Sequence, residues 1–187
     1  ADRWTRGQAR ARQPPLRGSN IVIITNGGGI GVLGTDAAER QGVPLKTAPP
    51  EVQAEFRKYM PDYGSPRNPV DITGGTGVEG YRGALAAALK LDWVEGIWVF
   101  YCETAVTKPV EVAQAVSDGV RDSGVTHKPV IACFVGGERS VDAGQKLLEA
   151  NIPFFDLTKK TMDAFAALRQ VALFEGQGCI YDFTPYA

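Results

Sequence analysis

Residues 20–39, NIVIITNGGGIGVLGTDAAE, decide how the rest of the chain reads. Ile21 to Ile24, with Thr25 at the polar edge, form the short apolar run of a strand whose sheet is covered on both faces. The run stops at Asn26, Gly27, Gly28, Gly29 and Gly31, where the backbone is free to turn sharply. From Val32 to Gln41 the apolar spacing becomes helical, and Gly42 suits the position just past a helix end. A strand, a glycine loop and a helix start together put unpaired amides at the positive end of a helix dipole, a place for a phosphate or a carboxylate. The glycines have two readings: they let the helix pack closely on the sheet, or they hold an anion. On the second, the cradle is Thr25, Asn26, Gly27, Gly28, Gly29, Gly31 and Val32. It is not a P-loop, because no Lys-Ser/Thr pair follows, and Gly27-x-Gly29-x-x-Val32 lacks the third glycine of a dinucleotide fingerprint.

Outward from this stretch, strands and helices alternate. Val43 to Lys46 reads as a second strand, and Pro49 and Pro50 open a helix carrying Val52, Phe56 and Tyr59. An irregular crossing from Met60 to Pro69 delivers Asn68-Pro69-Val70-Asp71-Ile72-Thr73-Gly74-Gly75-Thr76-Gly77, a strand-like piece running into a second glycine loop. Pro69 cannot donate to a ladder, so this piece belongs at a sheet edge or at a strand's first residue. Asp71 is a capping residue or a functional one. Helices are expected at Tyr81 to Leu91, Val110 to Asp122 and Ser140 to Ala150, with buried strands at Ile97 to Cys102 and Pro129 to Val135. A short strand at Ile152 to Phe155 precedes a last helix from Thr158, with Met162, Phe165, Leu168, Val171 and Leu173 as core. The pattern is α/β: a flavodoxin-like, doubly wound, mostly parallel sheet with helices on both faces. Ligands of such sheets sit outside the carboxyl ends of the strands, so the loops at Gly27 to Gly31, Gly74 to Gly77 and Gly136 to Gly137 should share one face.

Residues 1–19 carry five arginines and two prolines and almost nothing apolar beyond Trp4; they read as a linker or an arm lying on something else, and residues 20–187 as the domain. The chain starts at Ala1, which fits processing or a piece of a longer protein. Its 20 basic and 21 acidic residues leave a net charge of -1, which favours neither nucleic acid nor an acidic membrane, and no apolar run is long enough to span a bilayer. Cys102, Cys133 and Cys179 are widely spaced and odd in number, as expected of reduced, buried thiols in a cytoplasmic setting. The one histidine, His127, lies in a loop before a strand and reads as solvated, and no metal site is expected. Glu103, at a strand end, reads as a solvated loop carboxylate rather than a pocket residue.

Ile24-Thr25-Asn26-Gly27-Gly28-Gly29-Ile30-Gly31-Val32-Leu33, then Thr35-Asp36-Ala37 and Asn68-Pro69-Val70-Asp71, resemble the carboxy-terminal flavodoxin-like domain in the alpha chain of ADP-forming acyl-CoA synthetases, relatives of succinyl-CoA synthetase. Arg12 to Gly18 resembles the linker into that domain, and Gly136-Gly137 and Asn151-Ile152-Pro153 also match. A proline is common in the family where Ile30 stands. The resemblance implies the reaction acid + CoA + ATP = acyl-CoA + ADP + phosphate, through an acyl phosphate and a phosphohistidine. It implies that the helix after the glycine loop aims its amino end at the phosphohistidine, and that Gly74, Gly75 and Thr76 line a pocket for a small carboxylic acid. The partners implied are phosphohistidine-bearing, CoA-binding and ATP-grasp domains or subunits. CoA, ATP/ADP and Mg belong to the full enzyme and none is bound by this chain alone, which carries no catalytic residue and should not turn over by itself. The other reading is a regulatory or interaction domain of a ligase-like protein acetyltransferase; an FMN-binding flavodoxin is a third, and lacks the Ser/Thr-rich phosphate nest.

Overall fold

The computed structural model describes residues 3–43 and 45–176. Five parallel strands, β1 (Ile21–Thr25), β2 (Val70–Asp71), β3 (Gly96–Cys102), β4 (Val130–Val135) and β5 (Phe154–Phe155), form one sheet in the order β2-β1-β3-β4-β5. Seven helices are described: α1 (Arg3–Arg12), α2 (Gly28–Arg40), α3 (Pro50–Arg57), α4 (Val78–Lys90), α5 (Pro109–Ser123), α6 (Glu138–Glu149) and α7 (Thr158–Gly176). The expected doubly wound α/β architecture is therefore present.

The strands sort their side chains by period two, which gives the sheet two cores. Val22 and Ile24, Ile97, Val99 and Tyr101, and Val130, Ala132 and Phe134 meet residues of α3, α4, α5 and α6. Ile21 and Ile23, Trp98 and Phe100, and Ile131 and Cys133 meet α1, α2 and α7. Trp98 stacks on Phe100 with ring centroids 5.6 Å apart and meets Phe165 of α7 edge-on at 5.0 Å. Burial of this kind on both faces explains why the central strands read as unbroken apolar runs.

Residues 1–19, read as a linker or an arm lying on something else, lie on the domain: α1 packs against α7, burying Thr5 and Ala9, and the segment after it buries Leu16 and bonds Leu16 N–H to the Leu168 carbonyl at 3.3 Å. Gln13 Oε1 accepts from Val130 N–H at 2.7 Å, so the arm closes the start of β4. No strand lies among the described residues of 43–46, position 44 being outside them. Its place beside β1 is taken by β2 and by the Asn68 side chain, whose Oδ1 accepts from Ile23 N–H at 3.1 Å and whose Nδ2 donates to the Ile21 carbonyl at 2.6 Å. Pro69 stands immediately before β2 on the sheet edge, as its missing donor requires.

The helix expected from Val32 begins instead at Gly28, so that most of the glycine run is the first turn of α2. The core expected of α7 is corrected at its end: Met162, Phe165 and Leu168 are buried, but Val171 is half-buried and Leu173 is 57% exposed. Among the described residues no helix is long and apolar enough to cross a membrane.

Candidate functional site at the carboxyl edge of the sheet

The loops after β1, β2, β3 and β4 meet at one edge. A Cβ on Gly74 would lie 3.3 Å from the Thr104 side chain and 3.6 Å from the Asn26 carbonyl oxygen. A Cβ on Gly136 would lie 3.7 Å from Glu103 Oε2. The three glycine loops expected to share a face are thus within contact of the β3 end that lies among them.

The turn into α2 is held by side chains. Gly27 N–H donates to Thr25 Oγ1 at 3.1 Å, and the buried Asn26 side chain spans to β3, donating to the Cys102 carbonyl at 2.9 Å and accepting from Cys102 N–H at 3.0 Å. The side chains of Thr25 and Asn26, two of the residues read as the cradle, shape the turn. Gly31 N–H bonds to the Gly27 carbonyl at 3.1 Å, and Val32 follows in the helix with its side chain 59% exposed. Among the described residues, Gly28, Gly29 and Ile30 are left with first-turn amides for which no protein acceptor is present, as helix geometry requires. Gly27 caps the helix with extended backbone and no side-chain bond.

The two readings of the glycines divide by position. A Cβ on Gly34 would fall 2.2 Å from Phe100 Cε2, and one on Gly27 would fall 2.6 Å from Cys102 Sγ, so these two are demanded by close packing. Gly31 is tight as well, with Thr25 and Pro69 carbons at 3.2 and 3.3 Å. Gly29 is different: it is exposed, and a Cβ there meets nothing within 4 Å. Packing does not ask for glycine at 29.

Asp71 borders the same corner. Its Oδ1 accepts from Thr73 N–H at 2.9 Å, closing a local turn, while Oδ2 lies 3.2 Å from the position of a Cβ on Gly28. Burial first, and then the Asp71 charge, raise the Cys102 thiol above its ordinary value. Beyond Asp71 the chain turns at Thr73, a β-branched residue with φ 72°, and Thr76 Oγ1 donates to the Ile72 carbonyl. Gly74 packs on Asn26 and Thr104, whereas Gly75 and Thr76 face a shallow cleft of about 500 Å³ with Lys58, Tyr59, Tyr63 and Glu79.

Glu103 is not simply solvated: its side chain is largely covered and pairs with Arg139 of α6 at 2.7 Å. Nothing in the spacing of 103 and 139 signals this pair, which depends on β3 and β4 being neighbours. His127 is exposed in the loop leading into β4, at the opposite edge from these loops. No group of His, Cys, Asp or Glu among the described residues is disposed to hold a metal ion.

Comparison with known proteins places this geometry. Residues 21–172 match the Ligase-CoA domain family. The chain is 40% identical over 165 residues to the alpha subunit of acetate–CoA ligase [ADP-forming] I of Pyrococcus furiosus, covering 88% of this chain and 35% of that subunit. The acetyl-coenzyme A synthetase 1 of Ca. Korarchaeum cryptofilum superposes in its apo form with TM-score 0.87 and 30% identity, over 95% of this chain and 39% of that one. Its structure with phosphate and ADP superposes with TM-score 0.86 at the same identity, over 98% of this chain. The chain thus spans somewhat over a third of the length of these relatives.

Proposed function

Since the chain belongs to the Ligase-CoA domain family, we propose that it is the module of an ADP-forming acyl-CoA synthetase that receives a phosphoryl group at the amino end of α2. The reaction is acid + CoA + ATP = acyl-CoA + ADP + phosphate, and the phosphoryl group arrives on a histidine carried by another domain or subunit. The open first-turn amides of Gly28, Gly29 and Ile30, beside a glycine that packing does not require, carry this reading. Phosphoryl transfer depends chiefly on positioning and on donors aimed at the transferring oxygens. A helix end worth about 1–2 kcal/mol when partly buried biases a mobile phosphohistidine segment toward docking. His127, at the far edge of the sheet, is not placed to serve as that histidine.

The exposed side chains around the corner fit a docking face. Val32 and Leu33 on α2, Val106 before α5 and Val141 on α6 are each more than half exposed. The cleft at Gly75 and Thr76, bordered by the Tyr63 hydroxyl and by the Lys58 ammonium in its ion pair with Glu55, is the seat proposed for the small carboxylic acid. CoA, ATP/ADP and Mg are assigned to the other domains, and no step runs through them on this chain.

The test is reconstitution. Combined with the CoA-binding, phosphohistidine-bearing and ATP-grasp parts of its parent, the chain should restore acid- and CoA-dependent ADP formation that neither half shows alone. Full activity of the remaining parts without this chain would contradict the proposal.

A further inference from the structure

We infer that the β4–α6 turn, Gly136 to Ser140, is a second oxyanion seat, separate from the amino end of α2 and taking a carboxylate or a phosphate. The Ser140 hydroxyl carries the inference. It lies in the first turn of a twelve-residue helix, the residue is only 3% exposed, and Oγ has no hydrogen-bond partner among the described residues. A buried hydroxyl without a protein partner is costly, and in a native structure such a group is met by a water, an ion or a ligand.

The hydroxyl is aimed at the turn: Oγ lies 2.5 Å from where a Cβ on Gly136 would be, so glycine at 136 keeps the hydroxyl facing the loop backbone. Gly137, the N-cap, has no side-chain cap bond and nothing within 4 Å of a Cβ, so packing does not require glycine there either. Ser140 N–H is bonded to the Gly137 carbonyl at 3.0 Å, which leaves the Glu138 and Arg139 amides as the first-turn donors. Glu103 holds the exposed Arg139 guanidinium beside the same turn at 2.7 Å. An oxyanion over Gly136 and Gly137 would accept from two amides and from the Ser140 hydroxyl, with Arg139 at its rim. β3 separates β1 from β4, and α2 and α6 pack on opposite faces of the sheet, so this seat is distinct from the one at α2. The inference is independent of the ligase reading, since it concerns binding to this chain alone.

Amide NMR of the 187-residue chain, titrated separately with inorganic phosphate and with acetate, tests it. Saturable shifts at Glu138, Arg139 and Ser140 are expected, and the arm that produces them says whether the seat takes phosphate, carboxylate or both. Ser140→Ala removes an orphaned hydroxyl and orphans nothing else, so it should fold, with an unchanged or raised melting temperature, and bind about tenfold more weakly. Gly137→Val, whose side chain enters open space, is the second variant and should also weaken binding. Shifts at Gly28 to Ile30 report the α2 seat separately, so failure of one site is distinguishable from failure of the other. The absence of saturable shifts at α6 with either anion, or shifts that both variants leave unchanged, overturns the inference.

Discussion

The side-chain amide of Asn26 pairs with both the N–H and the carbonyl of Cys102, at 3.0 and 2.9 Å, and so ties the end of β1 to the end of β3. It extends the ladder by one side chain at the point where the backbone of β1 leaves for α2. Asn26→Ala would leave two largely buried backbone groups unpaired, and a loss of about 2 kcal/mol is expected in urea unfolding. Asn26→Asp should cost a similar amount, because a carboxylate cannot donate to the Cys102 carbonyl.

Glycines of one run should respond oppositely to substitution. Gly34→Ala drives a methyl into Phe100 and should cost about 1–3 kcal/mol. Gly29→Val points into open space and should change stability by less than about 0.5 kcal/mol. Equal destabilisation by both would return the whole run to a packing role.

The difference between the two glycines also marks what was legible in the sequence and what was not. The strands at Ile21 to Thr25, Gly96 to Cys102 and Val130 to Val135 were readable because burial on both faces leaves an unbroken apolar run. The start of α2 lies four residues ahead of the apolar spacing that marks it, because three of its first four positions are glycine, which local propensity reads as loop; the close approach to Phe100 and Pro69 overrides that preference. The helix α1 was hidden because its burial rests on small and polar residues such as Thr5 and Ala9 meeting α7, not on an apolar stripe of its own. Val43 to Lys46 carried a strand-like pattern but lost its place to the Asn68 side chain, a contact across 45 residues. At the site, the glycines and Asp71 were visible as residue types, whereas the Glu103–Arg139 pair and the orphaned Ser140 hydroxyl appear only once β3 and β4 are adjacent.

Asp71→Asn separates charge from shape at the α2 corner. The amide oxygen can still accept from Thr73 N–H, while the negative charge beside Gly28 is gone. Because that charge helps to raise the Cys102 thiol, the variant's thiolate should form at lower pH, followed by absorbance at 240 nm. Phosphate should bind the amino end of α2 several-fold more tightly, since a like charge has been removed. An unchanged thiol titration would mean that burial alone sets it.

Cys133 is expected to be inert. Burial pushes its thiol up to about 12, so at pH 8 only about one molecule in ten thousand carries the thiolate. Mapping of iodoacetamide adducts in the folded protein should find Cys102 modified well before Cys133; Cys179 lies outside the described residues. Rapid labelling of Cys133 at neutral pH would show that the β4–α7 packing opens.

The most direct test of the central claim is rapid-quench measurement of phosphohistidine formation in the full ligase carrying Gly29→Val. The added side chain starts from a Cβ with nothing within 4 Å, one residue into the helix whose first-turn amides would hold the phosphoryl group. The rate should fall about tenfold, the worth of a partly buried helix end, with the unfolding midpoint unchanged. A phosphorylation rate equal to that of the unaltered enzyme would show that the first turn of α2 does not hold the phosphoryl group.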